Sequence, residues 1–205
     1  CINNHEIGEL ISMNSSFGSN LLTKKKLFFF EKKKKINKDS RLFNKNLGGG
    51  CILDLGCYPI SFSILIASTM EKINIKNFKL ANINLDYGNM DVDIDAQADL
   101  IFDNRFTSKI KSSFKNNIGQ KSIILGTKGS MTIEDIFTGS GNIYINNHQK
   151  KYEIKNNINH NIFSYEINGI SNSILSGSLN AIYPGMQIEE TLLSMKIIDS
   201  WKNEK

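Results

Sequence analysis

LGGGCILDLGCYP, residues 47–59, is the stretch on which the fold turns. Three consecutive glycines stand directly before an apolar run that carries Asp54 and Tyr58. Glycine loses more conformational freedom on folding than any other residue. A triple glycine therefore implies a tight turn or a close approach to the backbone. The run that follows, residues 51–70, is apolar nearly all round, which predicts a buried helix. Pro59 falls in its first turns, where proline is best tolerated. Asp54 and Tyr58 are four residues apart, a spacing that puts two side chains on one face of a straight helix, one turn apart. A carboxylate near the helix N-terminus is favoured by the helix dipole. A phenol one turn on can exchange a proton with a hydroxyl or carbonyl group. The pair is thus expected to face one cleft. The same residues also suit a cap, a satisfied tyrosine hydroxyl and a plain glycine turn, and spacing alone leaves both readings open.

Outward from this stretch the periodicity changes. Residues 7–17 alternate as a strand, and residues 19–46 read as a polar, lysine-rich loop whose Phe28, Phe29 and Phe30 need a partner surface, as in a lid or binding loop. From residue 76 to 154 short period-2 segments follow one another, with hairpin turns expected at Asn104-Arg105, at Lys128-Gly129 and across 146–148. Helices are expected at about 162–176 and 185–202, the second with Ile188, Leu192, Met195 and Ile198 as its core stripe. The order predicts an α+β domain: a large, mostly antiparallel open sheet with helices packed on one face. No internal boundary divides residues 1–205.

Composition narrows the function classes. The 205 residues carry a net charge of +5 and 40% hydrophobic residues, enough for a core. Of the 25 basic residues only Arg41 and Arg105 are arginines. Readers of nucleic acid favour arginine for bidentate contacts, so no nucleic-acid partner is expected. Cys1, Cys51 and Cys57 make no CxxC pair, which favours a reducing, cytoplasmic setting. His5, His148 and His160 stand far apart, and no metal site is expected. The longest apolar run, around 59–67, is short for a bilayer span, and no membrane association is expected. The chain begins with Cys1 and reads as a piece lacking upstream sequence.

The segment SRLFNKNLGGGCILDLGCYPISF resembles the signature of the glucose–fructose oxidoreductase, inositol dehydrogenase and MocA family, GGG-x-L-x-D-x-G-x-[HY]. Gly48-Gly49-Gly50, Asp54, Gly56 and Tyr58 stand in register, with a departure only at Ile52-Leu53. IGELISMNSSFG, IILGTKGSMTIED and FSYEINGISNSILSG resemble further segments of the family's C-terminal domain, in the same order. The resemblance implies a C-terminal substrate and oligomerisation domain over 1–205. NAD or NADP and a Glu-Lys-Pro lysine would belong to an N-terminal Rossmann domain outside this chain. It implies oxidation of a sugar, polyol or diol hydroxyl, or reduction of the carbonyl, and no hydride transfer by this piece alone. Asp54 and Tyr58 are the implied catalytic residues, Arg41 a substrate-binding residue, and Gly48, Gly49 and Gly50 the points of close cofactor approach. Tyrosine at position 58 is similar to the dihydrodiol and xylose dehydrogenase branch and departs from the inositol dehydrogenases. A homodimer or homotetramer is expected through an apolar open sheet face, on which residues such as Leu100-Ile101-Phe102 and Ile123-Ile124-Leu125 would lie. The alternative is a non-catalytic ligand-binding or assembly domain of the same fold.

Overall fold

The computed structural model describes residues 1–26, 30–158 and 161–203. Phe28, Phe29 and His160 lie outside the described residues. The chain opens with β1 (Leu10–Gly18) and a small hairpin of β2 (Thr23–Lys26) and β3 (Phe30–Lys33). A 3-10 turn at Lys45–Leu47 leads to a π-helical segment, Ile52–Gly56, which runs on into α1 (Cys57–Ser68). β4 (Phe78–Tyr87), β5 (Asp93–Phe102), β6 (Phe106–Ser113), β7 (Gly119–Gly126), β8 (Gly129–Ile133), β9 (Ile143–Asn147) and β10 (Lys151–Ile154) follow. α2 (Phe163–Leu175) and α3 (Ile188–Asn203) close it. The segment 19–46, expected as a polar, lysine-rich lid or binding loop, contains a hairpin.

Eight strands form one sheet in the order β10-β9-β8-β7-β1-β6-β5-β4. Every pairing in it is antiparallel except one: β1 runs parallel to β6 and antiparallel to β7. The β5–β6 turn places Asp103 and Asn104 at φ of 51° and 52°, the left-handed geometry that tight hairpins demand.

One face of the sheet is covered. α1 packs on β1 and β6, and α3 packs on α1, on the π segment and on β4. Small residues let the helical layer sit close. Buried Ser63 of α1 meets buried Ser108 of β6 at 2.7 Å, and Ser15 meets Ser122 at 2.7 Å. A side chain at Gly56 would come within 3.0 Å of the Trp201 ring and 3.3 Å of Ser112 Oγ. The stretch Lys45–Ser68 is long and apolar enough to cross a membrane by length and composition. However, 61% of its apolar window is buried inside this fold, as befits a core helix.

Two expectations need correction. The buried residues of α3 are Leu193, Ser194, Ile197, Ile198 and Trp201, whereas Ile188, Leu192 and Met195 are exposed. Trp201 and Ile197, both fully buried, decide which of two apolar stripes faces inward. The open sheet face, in turn, is no apolar surface. Strand alternation sends Leu100, Phe102 and Ile124 into the core. The opposite alternation carries Lys109, Lys111, Lys121, Asp95, Asp99 and Gln97, among which Ile123 is partly exposed and Leu125 exposed.

Candidate active site

The start of the long helix has no capping side chain of its own. Its cap comes from the sheet: Asp93, buried at the head of β5, accepts a hydrogen bond of 2.7 Å from the Ile52 N–H. Gly50 makes this possible. Its φ is 119°, and a Cβ there would lie 2.2 Å from Asp93 Oδ1. A Cβ at Gly49 would lie 2.9 Å from the Asn44 and Leu42 backbone, and Gly48, at φ 74°, ends the 3-10 turn. The close approach these glycines permit is therefore to the protein's own Asp93 and to its own main chain. Gly49 also borders an open groove of about 990 Å³, which it shares with Lys45, Tyr87, Asp91, Asp93 and Lys202.

Asp54 sits inside the π segment. Such a turn carries an extra residue, so Asp54 is rotated relative to Tyr58 from the offset that four residues give on a straight helix. The widening lies immediately before Pro59, which has no N–H to continue the ladder. Arg41 Nη1 meets Asp54 Oδ1 at 2.8 Å, with the arginine side chain 72% and the aspartate 20% exposed. Two of the sequence-predicted residues, from opposite ends of the signature segment, are thus brought into one ion pair.

Tyr58, in the first turn of α1, is 42% exposed. Phe17 of β1 meets its ring edge-on at 5.2 Å, and Phe137, after β8, lies tilted against it at 5.4 Å. Phe17 and Phe137 stack on each other at 5.4 Å. Three distant segments therefore hold the tyrosine ring while part of it stays in contact with solvent. The ring borders a groove of about 410 Å³ whose other walls include Phe62, Leu65, Phe137, Pro184 and Met186, with Ser61 and Glu190 as polar members. Asp54 is not among the groove's lining residues. Phe17, Phe137 and Asp93 were not legible as site residues, because each acts across the fold with no local motif around it.

Two of the cysteines have raised thiol pKa values. Burial pushes the Cys51 thiol far up, with nearby Asp93 adding to the rise, and burial followed by the Asp54 charge raises Cys57. All three cysteines are free, and no metal-binding cluster of His, Cys, Asp or Glu exists among the described residues.

A mostly antiparallel sheet backed by a buried helix, with a glycine turn, a paired aspartate and an aromatic-clamped tyrosine at the helix start, sets the class of domain. Residues 1–132 match the model of the GFO/IDH/MocA C-terminal domain, and the chain belongs to that family. It is 24% identical over 175 residues to trans-1,2-dihydrobenzene-1,2-diol dehydrogenase of Xenopus tropicalis, covering 80% of this chain and 49% of the relative. Its fold is similar to that of KijD10, a 3-ketoreductase from Actinomadura kijaniata solved with NADP and TDP-benzene. The TM-score is 0.74 at 18% identity, over 97% of this chain and 55% of that one. It is also similar to aldose-aldose oxidoreductase from Caulobacter crescentus complexed with glycerol, with a TM-score of 0.76 at 15% identity, over 98% and 55% of the two chains. The chain thus spans about half the length of these relatives.

Proposed function

We propose that this chain is the substrate-side and assembly part of an NAD(P)-dependent oxidoreductase acting on a sugar, polyol or diol hydroxyl or on the corresponding carbonyl. Hydride chemistry falls to NAD or NADP held by a dinucleotide-binding unit outside these residues, so the chain alone does not complete the reaction. What it contributes is the proton. In the reductive direction the Tyr58 phenol donates its O–H hydrogen to the substrate oxygen as that oxygen gains charge, and in the oxidative direction the same oxygen receives the proton. The single observation that carries this role is the clamp: Phe17 and Phe137 fix the ring, while Tyr58 remains open to a groove able to take a small molecule. Arg41, tied to Asp54 and largely exposed, is the residue assigned in this proposal to a substrate hydroxyl or anionic group. The names of the similar proteins, with a diol, a nucleotide-linked ligand and glycerol among them, support this substrate range.

A cytoplasmic setting and pairing of subunits through the open sheet face complete the proposal. Free cysteines support the first. A face of interspersed lysines and carboxylates would make the second a polar, salt-sensitive interface.

The test is steady-state kinetics of the natural full-length protein with Tyr58→Phe. The ring and its packing survive the loss of one hydroxyl. The expected result is a fall in kcat of about 10²–10⁴-fold with little change in KM, the pattern of a lost transition-state interaction. A kcat near that of the unaltered protein removes Tyr58 from the chemistry.

A further inference from the structure

The surplus charge of this chain sits in one place. Residues 23–38 hold eight lysines and one glutamate, a formal charge of +7, so the rest of the chain carries −2 of the total of +5. Much of this charge belongs to the β2–β3 hairpin, a two-stranded sheet separate from the main one. The base of the hairpin is tied down. Ser19 and Leu21 donate backbone hydrogen bonds to Ser113 at 3.0 Å and Phe114 at 2.8 Å, where β6 ends, and the Asn20 side chain accepts from the N–H groups of Leu22 and Thr23. Beyond this base Lys24, Lys32, Lys33, Lys34, Lys35 and Lys38 are exposed, and among the described residues none of them forms an ion pair.

The hairpin is built against its own charge. Lys24 stands directly opposite Lys32 in the ladder. Like charges directly opposite each other destabilise a strand pair, and a two-stranded hairpin alone is marginal in water. An anionic partner relieves that repulsion. Among the described residues none from 19–40 lines the Tyr58 groove or the groove beside Gly49. The charge is thus offered outward and not to a ligand in either groove.

The kind and placement of the charge say which partner it suits. Every cation in 23–38 is a lysine. Lysine is a point charge without the planar fork that reads bases and phosphates bidentately, so it suits a diffuse potential better than a nucleic acid. A cluster of about four to eight basic residues is what the negative potential of a phosphatidylserine-bearing leaflet attracts. A chain that is positive on one hairpin and slightly negative elsewhere is also oriented by a charged plane, with the hairpin facing it. In the cytoplasmic setting proposed above, that plane is the inner leaflet of a membrane.

We infer that the β2–β3 hairpin and the lysines that follow it are a docking surface for a bilayer carrying anionic phospholipids. The binding is electrostatic and peripheral. It needs no spanning segment, and so it revises the expectation of no membrane association, which rested on the shortness of the apolar run. It stands apart from the oxidoreductase reading.

The test is co-sedimentation of the natural full-length protein with vesicles of phosphatidylcholine alone and of phosphatidylcholine mixed with phosphatidylserine. The expected result is binding to the mixed vesicles, none to the neutral ones, and release as salt rises. Lys32→Gln, Lys33→Gln and Lys34→Gln together should weaken binding by about a hundredfold, since each lysine near the surface contributes about fivefold. Lys128→Gln, Lys151→Gln and Lys155→Gln remove the same charge from exposed sites elsewhere and should weaken it far less. All six side chains are exposed, so both triple variants should unfold at the temperature of the unaltered protein. No binding to the mixed vesicles, equal binding to the neutral ones, or equal losses in the two triple variants overturns the inference. Binding of single-stranded RNA that the hairpin variant loses, with no binding of vesicles, also overturns it and makes nucleic acid the partner.

Discussion

Replacing Gly50 by alanine tests the link between the glycine turn and the helix it starts. Two costs follow from the structure. The φ of 119° lies where side chains are strained, worth about 1–3 kcal/mol. The new methyl group would also lie 2.2 Å from Asp93 Oδ1 and 2.7 Å from its Cγ, so the carboxylate must leave the Ile52 N–H that it caps at 2.7 Å. A hydrogen bond to a charged group contributes about 1.5–3 kcal/mol. The sum, about 2.5–6 kcal/mol, is a large share of the roughly 5–15 kcal/mol that holds a domain together. It corresponds to a fall in Tm of roughly 5–24 °C at this chain length. Gly48→Ala is the control. Its φ of 74° carries strain of about 1–2 kcal/mol, but its Cβ meets only the flexible end of Leu53 at 3.4 Å. Urea unfolding of both variants, repeated with Asp93→Ala, gives a double-mutant cycle. Removing the Asp93 carboxylate should relieve about 2 kcal/mol of the Gly50→Ala cost. If Gly50→Ala costs no more than Gly48→Ala, or if Asp93→Ala leaves that cost unchanged, the account of the turn is wrong.

Further expectations concern charge, acidity and packing. Arg41→Ala should change stability by less than about 1 kcal/mol, because the Arg41–Asp54 pair is largely exposed on the arginine side, while raising KM for substrate more than it lowers kcat. Burial raises the Cys51 thiol above its ordinary value of 9.0, so its contribution to stability is fully present below pH 9 and is lost as the unfolded chain ionises above it. Between pH 9 and 10 unfolding free energy should fall by about 1 kcal/mol for this group, and Cys51→Ala should remove that slope in denaturant titrations. Ile197→Ala empties a fully buried site on α3 and should cost about 2–5 kcal/mol by chemical unfolding.

β1 and the strands from β4 to β10 were legible because alternation is a local signal, written into each segment in turn, whereas the β2–β3 hairpin inside the lysine-rich segment was not. The buried helix and the special glycines were legible for the same reason. The core face of α3 was not, since Ile188-Leu192-Met195 and Leu193-Ile197-Trp201 both have helical spacing, and only the shape of the layer beneath selects between them. The π turn at Ile52–Gly56 leaves no mark in composition. Asp93 caps a residue 41 positions away, and the clamp on Tyr58 joins β1 to the segment after β8. Such partnerships exist only once the sheet has formed. At the site, therefore, residue types were readable and their neighbours were not.

The parallel pairing of β1 with β6 has a consequence for how the molecule is made. β1 precedes the other strands of this sheet in sequence, yet it lies at the middle of the sheet, where Ser12 pairs with Thr107 on one side and Leu125 on the other. Its two partners, β6 (Phe106–Ser113) and β7 (Gly119–Gly126), lie far along the chain, and contacts of such long sequence separation form slowly. Without β1, β4–β6 and β7–β10 are two ribbons, each with a bare central edge, and bare edges recruit other chains. Insertion of β1 is the step that turns two ribbons into one sheet. Loss of this strand by proteolysis would expose both edges at once and convert the remainder into a species that aggregates.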